Sequence, residues 1–444
     1  MKIVIAGAGE VGSHLAKLLS NEDQDILLID DNDEKLALLD ANYNIMTMAG
    51  NPTSFMNLRN ALRDGCDLFI AVTPSESSNV VACSIAKTLG AATTVARIAH
   101  YGYMAPENTE PMKQMGVDRV IYPEYLAAQE IITALEHPWT RYWFEFHNGQ
   151  IILAGIRLRP GAPLIGMQLK EFASTNHQFH VAAIKRNNES IIPRGDDRME
   201  EGDILYVTFT REHTDTLKEL TGKTDFRVRR VVIMGGDKIA VRVYNLGHER
   251  FRFKIIDSNR DVCHMLPSKC PDAEIIMADA RDPEMWTETG IDNADAFIAL
   301  TGSAETNILA CMAAKDMGVK RTVAEVENLQ FISLAEGMNI GKVINKKLLA
   351  SSSIFQLMLD ADASSAKCLA LTDAEVAELE VRPGSRITHA PVKDLNLPRS
   401  MTLAALIRDG HGMLIGGNTH IQAGDRVLVF FLQGAIHKVE RLFS

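Results

Sequence analysis

Gly7, Gly9 and Gly12 follow the aliphatic run Lys2 to Ala6 and open a helical pattern, and they are the residues of this chain best spaced for chemistry. In such a G-x-G-x-x-G turn Gly7 permits the tight bend, and Gly9, without a Cβ, lets backbone approach a pyrophosphate. Gly12 lets helix and strand pack closely. Phosphate oxygens then meet the free N–H groups and the positive dipole end of a helix starting near Glu10, with Ala8 and Val11 completing the loop. Asp30, at the end of the second strand pattern, is placed to accept hydrogen bonds from adenosine ribose hydroxyls. Its charge repels a 2′-phosphate, which favours NAD(H), ATP or ADP over NADP(H). Strands one and four adjoin in a sheet of this kind, so Thr73 and Pro74 should close the other wall of the crevice, with Arg97 near the phosphates. Thr73 reads equally as a helix cap, and Arg97 as the partner of a surface carboxylate.

Nothing else in the chain completes an active site. A nicotinamide-dependent oxidoreductase needs a proton-transfer group over the cofactor. The histidines downstream, His177 and His180, flank a turn and belong to no metal-ligand cluster, so they read as exposed or satisfied loop residues. A nucleophile elbow, a Walker lysine and an HExxH pair are all missing. No catalytic residue and no metal is expected, and a bound nucleotide without chemistry points to a sensor. A soluble NAD-dependent oxidoreductase stands as the rival class, to be told apart by turnover of NADH.

The elements that must position the turn are written twice. Lys2 to Gly12 reappears as Arg230 to Ala240, 228 positions later, and Ile29-Asp30 reappears as Ile256-Asp257. Phe69 to Asn79 matches Phe297 to Asn307, and Thr94 to Arg97 matches Thr322 to Glu325. Further on, Val181 to Arg186 answers Leu403 to Arg408, and Glu201-Gly202-Asp203 answers Ala423-Gly424-Asp425. Aliphatic runs alternating with helical periodicity predict parallel βαβ units, with strands near 2–6, 25–29, 44–48, 67–72, 93–98 and 119–121. Short strands broken by Pro-Gly, Asn-Asn and Glu-Gly-Asp turns predict a small β-rich lobe after each. The expected fold is therefore α/β: two Rossmann-like parallel-sheet lobes, each followed by a crossover helix and a small β-rich α+β lobe. The boundaries are 1–125, a helix at 126–145, 146–222, a polar linker at 223–229, 230–345, a second helix at 346–370, and 371–444. The apolar stripes of the crossover helices (Leu126, Ile131, Ile132, Leu135; Leu348, Leu349, Ile354, Leu357, Met358) are expected to form a dimer contact, with packing inside one lobe as the alternative.

The second copy keeps the scaffold and changes the chemistry. Gly9 is replaced by Asp237, Gly12 by Ala240 and Arg97 by Glu325. Carboxylates where phosphate should sit make that site weak or empty, leaving Asp257 as its one clear ribose contact.

With 444 residues, several packed cores are expected. A formal charge of −11 excludes a basic nucleic-acid binder or a polybasic lipid-binding surface. No apolar run approaches membrane-spanning length, and Met1-Lys2-Ile3 passes straight into a strand pattern, so a soluble, intracellular, unprocessed chain is expected. The six cysteines (Cys66, Cys83, Cys263, Cys270, Cys311, Cys368) lack Cys-x-x-Cys spacing and read as buried thiols; Cys263 and Cys270 are the one near pair.

The tandem order of dinucleotide-binding lobe, crossover helix and β-rich lobe resembles the RCK (KTN) family of potassium-transport regulators. It is most similar to the tandem cytosolic subunits of Trk-type potassium uptake. The matching motifs are Ile3 to Gly12, Asp30, Ala71-Val72-Thr73, Asn79 and Ala96-Arg97-Ile98. The resemblance implies nucleotide contacts at Gly7 to Gly12, Asp30, Thr73, Pro74, Arg97 and Ile98. It further implies NAD(H), ATP or ADP as ligand, a homo-oligomeric ring, and a membrane-embedded potassium-translocating partner at the cytoplasmic face of the inner membrane. A regulator of a different potassium or cation transporter would share these motifs. An acidic chain with no span of its own is then expected to dock on protein rather than insert into lipid.

Overall fold

A computed structural model describes the chain except residues 21–23, 188, 225, 280, 283, 363–368, 372–373, 433–435 and 444. Six parallel strands, β1 (Lys2–Ala6), β2 (Asp25–Asp30), β3 (Met46–Ala49), β4 (Leu68–Ala71), β5 (Thr93–Arg97) and β6 (Arg119–Ile121), form a sheet in the order β3-β2-β1-β4-β5-β6. The order reverses between β1 and β4, which opens a crevice at their carboxyl ends. Ile3, Val4, Ile5 and Ala6 are all buried, as expected of a central strand covered on both faces. The helix Glu10–Leu19 buries Val11, Leu15, Ala16 and Leu19, a stripe at helical spacing laid on the sheet.

A second six-stranded parallel sheet, built from Arg230–Met234 to Lys342–Ile344, has the same strand order. Each Rossmann-like lobe is followed by a five-stranded antiparallel sheet. Among the described residues no helix is long and apolar enough to cross a membrane.

The crossover segments differ from expectation. The first helix is Pro123–Glu136, ended by His137-Pro138, and so fills only part of the segment 126–145; Tyr142–Phe146 is a strand that pairs with Ile151–Arg157. The second helix is Lys346–Asp362 rather than 346–370, with a strand at Leu369–Leu371 and residues 363–368 outside the described set. The run Tyr142-Trp143-Phe144-Glu145-Phe146 is rich in aromatic residues, the composition of a strand.

The chain divides into two compact units, Met1–Gln129 with Asn345–Met358, and Glu130–Ile344 with Leu359–Ser444. The start of the second crossover helix thus packs with the first Rossmann-like lobe, where Lys347 Nζ pairs with Glu10 Oε2 at 2.6 Å. From Glu130 onward the first helix packs with the second lobe. Glu130 binds Lys342 at 2.6 Å, Glu136 pairs with Arg250, and Ile132 Cδ1 lies 2.7 Å from where a Cβ on Gly247 would stand. Ile131, Ile132, Leu135 and Ile354 are consequently buried within one chain rather than exposed for a dimer; the Met358 side chain lies outside the described set.

The second unit also holds both β-rich lobes, which share a core. Phe146, Leu153, Ala183 and Tyr206 of one pack with Ala404, Leu428 and Phe430 of the other. Within each lobe an arginine–aspartate clasp joins a strand to the following turn. Arg186 donates to Asp203 through Nε (2.9 Å) and Nη2 (2.8 Å), and Arg408 does the same to Asp425 (2.8 and 2.7 Å). His180 is the first residue of the strand His180–Arg186 rather than a loop residue, and lines a cavity of about 790 Å³ between the two β-rich lobes. The five described cysteines are free; Cys263 is half-buried, the others buried, and Cys368 lies outside the described residues.

Two outcomes follow. Asp203 is almost fully buried, so Arg186→Ala strands its carboxylate and should cost ~3 kcal/mol, read as a lower midpoint in urea unfolding. Burial depresses His180 to a pKa of about 4 and, helped by Arg211 and against the pull of Glu145, His137 to about 4. Both are bound neutral, so their contribution is intact above an unfolded pKa of ~6.5 and is lost as pH falls toward 4. The melting temperature should drop across that window, and His180→Gln should make the drop smaller.

Candidate functional site

The glycine turn sits where β1 meets its helix. Gly7 has φ +112°, a conformation open to glycine, and its N–H donates to Ile29 O at 2.8 Å. A Cβ on Gly12 would stand 1.9 Å from Gly7 O, so helix and turn touch through bare backbone. A Cβ on Gly9 would meet nothing within 4 Å. Gly9 is also the N-cap of the helix Glu10–Leu19 and gives it no side-chain hydrogen bond. No side chain caps the first turn and none crowds the Gly9 Cβ position, the arrangement that suits an anion.

Asp30 has a second task that the sequence did not disclose. Its Oδ2 accepts the Ala8 N–H at 2.5 Å and its Oδ1 accepts the Asn32 N–H at 2.9 Å, so it buttresses the turn. A carboxylate offers about four lone-pair directions, which leaves room for ribose hydroxyls beside those two bonds.

Buried Asn79 assembles the opposite wall. Its Oδ1 accepts from Thr73 N (2.9 Å) and Thr73 Oγ1 (2.7 Å), and its Nδ2 donates to Thr73 O (3.0 Å) and Arg97 O (2.9 Å). One side chain thereby brings the ends of β4 and β5 together. Ser75, not Thr73, caps the following helix, accepting from Ser78 N at 3.2 Å. Arg97 is half-buried and pairs with no carboxylate among the described residues, so the surface-pair reading is not the one realised. Glu10 and Pro74 are exposed, whereas Val11 and Ile98 are core residues. The Ile98 N–H is spent on Ile121 O at 2.8 Å.

The second copy repeats the frame: Asp257 accepts Gly236 N at 2.7 Å, and Asn307 bridges Thr301 to Glu325 O at 2.9 Å. Its helix start differs. Asp237 caps Lys238–Gly247 by accepting the Ala240 N–H at 3.0 Å, which places a built-in carboxylate where the first copy leaves free donors. A crevice of about 410 Å³ remains beside it, rimmed by the Asp279–Arg281 pair. Space is retained there while the anion seat is filled.

Residues 3–123 and 231–346 match the TrkA-N domain family, and 153–222 and 376–444 the TrkA-C domain family. The Trk system potassium uptake protein TrkA of Halomonas elongata is 30% identical across 100% of this chain and 99% of its own length. A TrkA homolog of Archaeoglobus fulgidus is 28% identical, with complete coverage of both. The chain belongs to the TrkA family. Among solved structures, the GsuK RCK domain aligns at TM-score 0.61 and 17% identity, covering all of this chain and 94% of that one. The GsuK channel bound to NAD aligns at 0.62 and 16%, covering all of this chain and 78% of that one. At these identities the likeness concerns the fold, a tandem RCK architecture.

Asn79, read from sequence only as part of a matching motif, is the clamp of the opposite wall; beyond the residues read from sequence, Lys347 reaches Glu10 from the second crossover helix. The repeat of Thr-x5-Asn in both copies is a signal that finds Asn79. No local signal announces Lys347.

The last two glycines of the turn predict opposite outcomes. Gly12→Ala forces backbone apart and should cost ~2–3 kcal/mol or more, as overpacking does. Gly9→Ala should change stability by under ~1 kcal/mol. Thermal melts of the two variants check this.

Proposed function

We propose that this chain is the nucleotide-sensing regulatory subunit of a Trk-type potassium uptake system. It binds NAD(H), ATP or ADP in the first Rossmann-like lobe and controls a membrane-embedded potassium-translocating partner. The observation that carries the reading is the uncapped helix start at Gly9, facing open space beside Asp30 and an Arg97 with no carboxylate partner. The relatives' name, Trk system potassium uptake protein, supplies the process, and the NAD-bound GsuK channel supplies a precedent for nucleotide on this fold. In this reading Gly7 to Gly12 hold the diphosphate through backbone N–H groups, Asp30 receives a ribose hydroxyl, and Thr73, Pro74 and Arg97 close the far wall. Ile98 acts by packing. The second lobe binds weakly or stays empty because Asp237 already satisfies its helix start.

Control of a partner requires the nucleotide to favour one conformation over another, since equal affinity for both shifts nothing. The Glu10–Lys347 pair links the phosphate turn to the second crossover helix, so a ligand diphosphate beside Glu10 competes with that carboxylate for the lysine. The chain works as a homo-oligomeric ring against the cytoplasmic face of the inner membrane, held there by the partner protein. It carries no catalytic role.

Gly9→Asp is the cleanest probe, because Asp30 also supports the turn and its removal confounds binding with stability. Copying the second lobe's carboxylate into the first should weaken nucleotide binding at least ~100-fold by like-charge repulsion, with a melting temperature no lower than that of the wild type because the new carboxylate caps the helix. Calorimetry on wild type should give about one nucleotide per chain. Cells lacking the protein should lose Trk-type potassium uptake, and the variant should fail to restore normal control. Normal uptake in those cells would defeat the assignment.

A further inference from the structure

A second place for an anion lies inside the second compact unit, between the first β-rich lobe and the second Rossmann-like lobe. Arg141, Arg157, Arg159 and Lys223 reach it from one side, and Lys315, Lys320 and Arg321 from the other. Among the described residues no carboxylate lines it. The acids close by are engaged elsewhere: Glu130 with Lys342 at 2.6 Å, and Glu336 with Lys185 at 2.8 Å and the Tyr142 hydroxyl at 2.9 Å.

Four of the cations donate to neutral oxygens. Arg321 Nη1 donates to Thr140 O at 2.9 Å and Pro138 O at 3.4 Å. Arg141 donates to Gly341 O and to Asn339 Oδ1, the latter at 2.6 Å, while Lys315 donates to Asn339 O and Lys223 to Arg157 O at 2.6 Å. Arg321 is 5% exposed, yet its Nε and Nη2 are buried without any hydrogen-bond partner. Two unsatisfied donors on a buried guanidinium are costly, and a water molecule would meet the donors without offsetting the charge. Burial together with the neighbouring cations lowers Lys223 and Lys315 to about 8 and Arg321 to about 9. The group is strained by the absence of negative charge.

The cavity is about 30 Å³, more than the ~10–15 Å³ one water needs and far below nucleotide size. We propose that it binds a compact tetrahedral oxyanion, inorganic phosphate in the cell, which bridges Arg321 to the arginines of the first β-rich lobe and fastens the two lobes together. Planar guanidinium forks suit such an ion, and several of them converge here. The site is separate in sequence from the glycine turn, and its occupancy reports anion supply rather than nucleotide.

The test uses the full-length protein, titrated with inorganic phosphate against chloride at matched ionic strength and followed by thermal melting and calorimetry. Phosphate should raise the wild-type melting temperature and bind with measurable heat. Arg159→Gln, at an exposed side chain with no partner, should weaken binding at least tenfold without lowering the phosphate-free melting temperature; Arg321→Gln should abolish the response. Gly9→Asp should retain it, since that variant blocks only the other crevice. The proposal is overturned if phosphate acts no differently from chloride, or if Arg159→Gln responds like wild type. It is equally overturned if Gly9→Asp removes the response, or if AMP binds the Gly9→Asp protein more tightly than phosphate does. Should Arg321→Gln fail to fold, Arg159→Gln decides.

Discussion

The contact between Gly12 and the carbonyl of Gly7 is the constraint on which the first lobe is arranged. With no side chain between them, the helix after β1 starts directly over the strand end, and its start, without a side-chain cap, lies at the crevice made by the reversal of strand order. Asp30 fixes the turn from the β2 side and Asn79 fixes the opposite wall from the β4 side. The crevice is therefore held by backbone geometry and two short polar side chains, half-buried Asp30 and buried Asn79, rather than by long, mobile ones. Such a site is set before a ligand arrives, which limits the ordering cost of binding.

The second lobe shows what happens when the same frame loses that bare contact. Ala240 and Asp237 replace two glycines, the helix gains a side-chain cap, and the crevice persists with its donor already satisfied. Stability and ligand competence have been exchanged at one position. The frame itself, including the Thr–Asn clamp and the acid under the turn, is unchanged.

Sequence alone revealed the two-fold repeat, the adjacency of the first and fourth strands and the strand–turn–helix at the glycines, because these rest on local periodicity and on steric rules that hold at fixed spacing. It misjudged the crossover segments, where Tyr142–Phe146 is strand and not helix. It also read the apolar stripe of Ile131, Ile132 and Leu135 as an interface between chains, when the other half of the same chain covers it. A periodic stripe states that a face is buried and says nothing of what buries it. The pairing of Lys347 with Glu10 and the gathering of six other cations around Arg321 likewise depend on residues far apart in sequence, which no spacing rule connects.

The shared core of the two β-rich lobes carries a consequence for how the molecule responds to its own abundance. Were the halves separate chains, their pairing would weaken on dilution, and any signal read from it would vary with expression level. Joined in one polypeptide, the lobes meet at an effective concentration set by the connecting chain, in the millimolar range for short tethers. The pairing is thus independent of copy number, and the two halves are free to diverge in sequence without ever having to find each other.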